Sequence, residues 1–110
     1  MDVAIRGWHV HVYYDAQSMP RAGQLCERAA ERFALTMGRM HERPVGPHPD
    51  WSCQLSFAPE LFADVLPWLL LNRDGLTLFA HPLTGDDLAD HRDHALWIGE
   101  QRPLNLANFA

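Results

Sequence analysis

Between Trp8 and Tyr14 the chain alternates, with Trp8, Val10, Val12 and Tyr14 on one parity and His9, His11 and Tyr13 on the other. A period of two puts successive side chains on opposite faces of a strand. A strand is therefore predicted from about Arg6 to Tyr14, with one apolar face and one that carries both histidines. The period then lengthens. Ser18 reads as an N-cap with Pro20 in the first turn, and Ala22, Cys26, Ala29, Phe33 and Met37 recur at three- and four-residue steps. That spacing predicts an amphipathic helix closed by Gly38.

Arg39 to Val45 reads as a short edge strand, because Pro44 lacks the ladder donor a central strand needs. Gly46-Pro47-His48-Pro49 forms a stiff turn. A second alternation follows, with Trp51, Cys53, Leu55 and Phe57 opposing Ser52, Gln54 and Ser56. Pro59 opens a second helix, continued by Leu61, Phe62, Val65, Leu66, Leu69 and Leu70 to a stop at Asn72-Arg73-Asp74-Gly75, although Pro67 removes a hydrogen bond inside it. Leu76, Leu78 and Ala80 then alternate with Thr77, Phe79 and His81. The order β-α-β-β-α-β is the split βαβ arrangement of the ferredoxin-like α+β class, an antiparallel sheet with both helices on one face. Beyond it, Thr84 to Trp97 reads as a short capped helix, followed by an extended apolar tail.

The strand parities also sort the chemistry. The apolar sides suit the two helices, which leaves His9, His11, Tyr13, Ser52, Gln54 and Ser56 on the opposite face, joined by Thr77, Phe79 and His81 if the last strand keeps the rule. His9 and His11 stand roughly 6 to 7 Å apart along one side, close enough to converge on one ion or to be two half-exposed strand residues. His48 is held between two prolines. His91 and His94 are neighbours at i and i+3 of the short helix, as ligands, acid/base groups or surface residues. His41 has no supporting pattern and reads as a surface residue.

Composition narrows the partners. At 110 residues one domain over 1–110 is expected, and a net charge of −5 with nine arginines and no lysine leaves no basic stripe for a phosphate backbone, so nucleic acid is not an expected partner. Cys26 and Cys53 match neither a zinc clip nor a disulfide framework and read as reduced, buried thiols. No signal peptide or membrane-length apolar run is visible, and a cytoplasmic location with no membrane partner is the expectation. There is no G-x-S-x-G elbow, phosphate-cradling glycine loop or dinucleotide fingerprint. Metal or oxygen chemistry remains.

Gly7-Trp8-His9-Val10-His11-Val12-Tyr13-Tyr14-Asp15, Gly46-Pro47-His48-Pro49, Trp51 to Phe57, Pro67 to Arg73, and His81-Pro82-Leu83-Thr84-Gly85 with Asp90-His91 and His94 to Trp97 together resemble the DOPA 4,5-dioxygenase family. The likeness runs in order over nearly the whole chain. It implies a ferredoxin-like fold in a dimeric α+β barrel-type assembly, and non-haem iron(II)-dependent extradiol cleavage of a catechol, L-DOPA or a relative, by O2 to a ring-opened semialdehyde. On that basis His11, His48 and His81 are the expected metal ligands, with His9 as a fourth ligand or base and His94 as the outside candidate for proton transfer. Arg6 or Arg43 is expected to hold a substrate carboxylate, and Tyr13 and Gln54 to contact substrate. Glu42, Asp15 or Asp50 would supply a carboxylate ligand if one is used; a histidine-only site would also accept zinc. Tyr13, Phe79, Leu104, Leu106 and Phe109 supply apolar cover for the open sheet face, from a homodimer partner or from a folded-back tail. A metal-free oxygenase or isomerase on the same scaffold, and a non-catalytic module binding a metal or aromatic ligand, stay open as alternatives.

Overall fold

The alternating segments form the central strands of one antiparallel sheet in the computed structural model, which describes residues 2–109. Strand β1 is Trp8–Tyr14, helix α1 Met19–Arg32, β2 Thr36–Met37, β3 Trp51–Phe57, α2 Phe62–Asn72, β4 Thr77–Pro82, α3 Asp87–Arg92 and β5 Leu96–Ile98. The strand order β2-β3-β1-β4-β5 is the ferredoxin-like order with a fifth strand added beside β4. Among the described residues no helix is long and apolar enough to cross a membrane.

Val10, Val12, Cys53, Leu55, Leu78 and Ala80 face α1 and α2, and all are fully buried against Ala22, Leu25, Cys26, Ala29, Val65 and Leu69. Burying an aliphatic side chain of this size contributes about 1.5–3 kcal/mol, so this face carries much of the fold's stability. Both cysteines are free and buried, as expected.

Four boundaries differ from the sequence expectation. Helix α1 stops at Arg32 and Phe33 is already extended, rather than continuing to Gly38. Fourteen helical residues rise about 21 Å, nearly the length of a seven-residue strand at about 3.3 Å per residue, so a longer helix would overshoot the sheet. The edge strand is accordingly Thr36–Met37 rather than Arg39 to Val45. The later segment follows β3 loosely, through Gly38 N to the Gln54 carbonyl at 2.7 Å and His41 N to the Ser52 carbonyl at 3.1 Å. The Tyr14 hydroxyl pins it by donating to the His41 carbonyl at 2.7 Å.

Ser18 makes no side-chain cap; Asp15 Oδ1 instead accepts the Ser18 backbone N–H at 2.8 Å, which also holds the Asp15 carboxyl below its ordinary pKa. Finally, the expected helix from Thr84 to Trp97 is only Asp87–Arg92, capped by the Asp86 carboxylate, and Leu96–Ile98 is a strand. Strand β4 is buried along its whole length, so its outer edge needs a hydrogen-bonding neighbour. Helix α2 does run through Pro67, on an exposed side where water reaches the carbonyl left free.

Candidate metal and oxygen site

Opposite the helices, β1, β3 and β4 present His9, His11, Tyr13, Ser52, Gln54, Thr77, Phe79 and His81, the face expected from the parities. The register makes His9 the direct partner of His81, and places His11 between Gln54 and Phe79. His11 and His81 are 5% and 1% exposed. A histidine face this dry must be covered. The cover comes from the Val45–His48 turn, α3 and the C-terminal segment, in which Asn105 N donates to the Pro47 carbonyl at 2.8 Å and Phe109 stacks on His91 at 4.4 Å. The folded-back tail is thus part of the site.

Between these layers lies a cleft of about 340 Å³ lined by His9, His11, His48, Gln54 and His81, with His41, Ser52, Asp87, His91 and Phe109 at its sides. The ligand atoms of His9, His11 and His81 all lie within 4.8 Å of one another. His11 Nε2 and His81 Nε2 are 3.2 Å apart. Two nitrogens each about 2.1 Å from one ion, at tetrahedral or right-angle separation, stand about 3.0–3.4 Å apart. The spacing thus fits a shared divalent ion as well as an N–H to N hydrogen bond.

Protonation favours lone pairs here. Burial and the neighbouring imidazoles hold His11 well below the ordinary histidine pKa, burial lowers His9, and burial brings His48 and His81 down to about 4. All four are neutral near pH 7. His81 Nδ1–H donates to the Pro82 carbonyl at 2.9 Å, which leaves Nε2 bare toward His11. His91 Nδ1–H donates to the Asp87 carbonyl at 2.7 Å, with its ring 4.0 Å from that of His81. On donor chemistry, the residues present fit a borderline divalent metal.

His48 lines the cleft, with Nδ1 2.7 Å from the Tyr13 hydroxyl and its ring 4.0 Å from that of His11. Gln54 lines it and bonds Ser56 through Nε2 at 3.2 Å. Tyr13 lies behind His48, in the sheet. Arg6, Arg43 and His94 are exposed and stand outside the cleft lining, as do Glu42, Asp15 and Asp50. The carboxylate that does line it is Asp87. His91, one of the two helix histidines considered as ligand or acid/base group, lines the cleft, and so does Phe109 of the tail. Asp87, and His41 read as a surface residue, were not expected there, and the i, i+4 relation of Asp87 to His91 is the sequence signal for the former.

A model of the Dopa 4,5-dioxygenase family matches residues 8–108. An Amanita muscaria protein described as DOPA 4,5-dioxygenase is 36% identical over 99% of the chain, and an uncharacterised 21.2 kDa protein from Botryotinia fuckeliana is 38% identical over 97%. The chain spans 52% and 66% of those two proteins. The crystal structure of a proposed dioxygenase from Nostoc punctiforme superposes with a TM-score of 0.92 at 43% identity, over 94% of this chain and 90% of that one. With the histidine face built as its strand parities require, this chain belongs to the Dopa 4,5-dioxygenase family.

Proposed function

We propose that the chain is a metal-dependent extradiol dioxygenase that opens a catechol ring, of L-DOPA or a related phenol, to a semialdehyde. In that reaction one ring C–C bond and the O–O bond break, and both oxygen atoms enter the product. The observation that carries the reading is the convergence of His9, His11 and His81 within 4.8 Å at the floor of a cleft of about 340 Å³, within the size range of small-molecule sites. The Amanita relative supports the substrate class. Iron(II) is the proposed metal, with zinc able to replace it in purified protein because imidazole suits both.

His9, His11 and His81 would hold the ion, so His9 takes the place first expected for His48. The chemistry that a bound ferrous ion supplies is electron transfer between an electron-rich ring and O2. Burial holds the rings of His11 and His81 in place and neutral. His91 lines the cleft with Nδ1 tied to the Asp87 carbonyl, and its Nε2 is the proposed acceptor of a catechol hydroxyl proton, in preference to exposed His94. Phe109 offers flat apolar surface for an aromatic ring, and Gln54 a polar contact. Tyr13, Arg6 and Arg43 are not part of the lining and are not proposed as direct contacts.

The His11 to His81 spacing also suits a simple hydrogen bond, which keeps a metal-free oxygenase as the second reading. The homodimer belongs to the same proposal; exposed Leu70 and Leu71, 50% and 84% accessible, support a further apolar contact. Anaerobic reconstitution with Fe(II), followed by L-DOPA, caffeate or protocatechuate in air, tests the reading. A yellow ring-opened product that requires iron supports it; turnover by metal-free protein would establish the rival instead.

A further inference from the structure

Tyr13 is 2% exposed, and its hydroxyl has a single hydrogen-bond partner among the described residues, His48 Nδ1 at 2.7 Å. The direction of that bond follows from proton accounting. If Nδ1–H donated to the phenolic oxygen, the phenol hydrogen would be buried without an acceptor, at a cost of about 1–3 kcal/mol. Tyr13 O–H therefore donates, and a neutral imidazole that accepts at Nδ1 carries its hydrogen on Nε2.

Nε2 of His48 bonds no described residue. Of the described side chains, only Arg102 Nε is a buried nitrogen or oxygen without a hydrogen-bond partner, so His48 Nε2 is not sealed off and reaches the open cleft that its residue lines. The backbone beneath it is stiff: prolines flank the residue, His48 N donates to the Val45 carbonyl at 3.1 Å, and the Pro47 carbonyl accepts Asn105 N. Gly46, at φ 56, makes the bend that aims the turn inward.

We propose that Tyr13 is a positioning residue that fixes His48 as an Nε2–H donor into the cleft, aimed at the anionic oxygen of a phenolate-type substrate beside His9, His11 and His81. A nitrogen that bears hydrogen has no lone pair for a metal, so His48 is a donor to substrate rather than a ligand. The ligand class rests on the oxygenase reading above; the tautomer does not.

Long-range proton–nitrogen correlation spectra of protein with labelled histidines test the tautomer in the resting state, with His48→Gln identifying the His48 signals. The expected result is a protonated Nε2 and bare Nδ1 at His48, and in Tyr13→Phe a shift toward the opposite tautomer. Titration with Co(II) or Zn(II) should leave His48→Gln and Tyr13→Phe within about twofold of wild type in affinity, while His81→Gln weakens it at least about tenfold. In turnover, Tyr13→Phe should lower kcat about tenfold with KM changed less than about threefold, and His48→Gln at least as much. A bare Nε2 at His48 in the wild-type protein, or a tenfold loss of metal affinity in His48→Gln, would overturn the proposal. If no phenol is turned over by wild type, the oxygenase reading falls while the spectra and titrations still decide the tautomer.

Discussion

His9 and His81 are directly opposite each other across the antiparallel pairing of β1 with β4, with ring centroids 5.2 Å apart. Two residues separated by most of the chain thus become the nearest of cross-strand neighbours, and His11, two residues along, completes the group. The two rings differ in depth, since His9 is half-buried and His81 almost fully so.

That difference predicts separable effects. His9→Ala should weaken Zn(II) or Co(II) binding at least about tenfold with less than about 1 kcal/mol lost in stability. His81→Ala should lose metal affinity similarly and a further ~2 kcal/mol, because it empties a packed position. Calorimetric titration and chemical denaturation read the two quantities; equal metal affinity in wild type and both variants would remove the triad.

Acid should destabilise the metal-free protein. His48 and His81 titrate near 4 when folded and near 6.5 when unfolded. Between those values the unfolded chain binds more protons, so stability falls as pH drops from about 6.5 to about 4 and is flat above that window. A shift of that size is worth about 3 kcal/mol per group if fully expressed. Melting curves from pH 7.5 to 4.5 should show the decline, and His48→Gln should flatten it; an unchanged melting temperature would contradict the buried neutral rings.

His91 and His94 separate proton transfer from mere proximity in sequence, since His91 is in α3 and His94 lies just beyond its end. His91→Ala should reduce kcat on an accepted catechol by about 100-fold, whereas His94→Ala, exposed and outside the cleft, should stay within about twofold. The reverse ranking would reinstate His94.

The helix-facing layer can be checked without any substrate. Leu69 is fully buried, so Leu69→Ala should cost about 2–4 kcal/mol by urea unfolding. Leu71, exposed on the same helix, should change by less than about 0.5 kcal/mol on mutation to Ala in a monomer. A larger loss at Leu71, dependent on protein concentration, would instead show that the helix sits in a subunit contact, and sedimentation would then report a dimer.

The central sheet was legible because Trp8 to Tyr14 and Trp51 to Phe57 alternate strictly, and a two-residue period leaves no choice of face. The same rule puts His9 and His11 on one face, joined by His81 because β4 keeps the alternation. What pattern alone could not resolve was length and pairing. Nothing local stops α1 at Arg32; the limit is the span of the sheet it covers. Leu96-Trp97-Ile98 lies after a short acidic helix and becomes a strand only because the edge of β4 needs a partner, so Trp97, 4.5 Å from Phe79 on the site face, was assigned to a helix. His91 and His94 read as neighbours on one helix, but α3 ends at Arg92, so His91 faces the cleft from the helix while His94 lies beyond it. Tyr13 was read as a substrate contact; its hydroxyl is used on His48, a partner 35 residues away that strand parity cannot disclose.

In β1, Val10 and Val12 serve the helix side while His9 and His11 serve the cleft, residue by residue. Inserting or deleting one amino acid at the start of this strand would swap the two sets, driving imidazoles among the aliphatic groups and valines into the cleft. The segment should therefore tolerate substitutions far better than changes in length, and gains or losses of residues should collect in the connecting loops, where they leave both faces in phase.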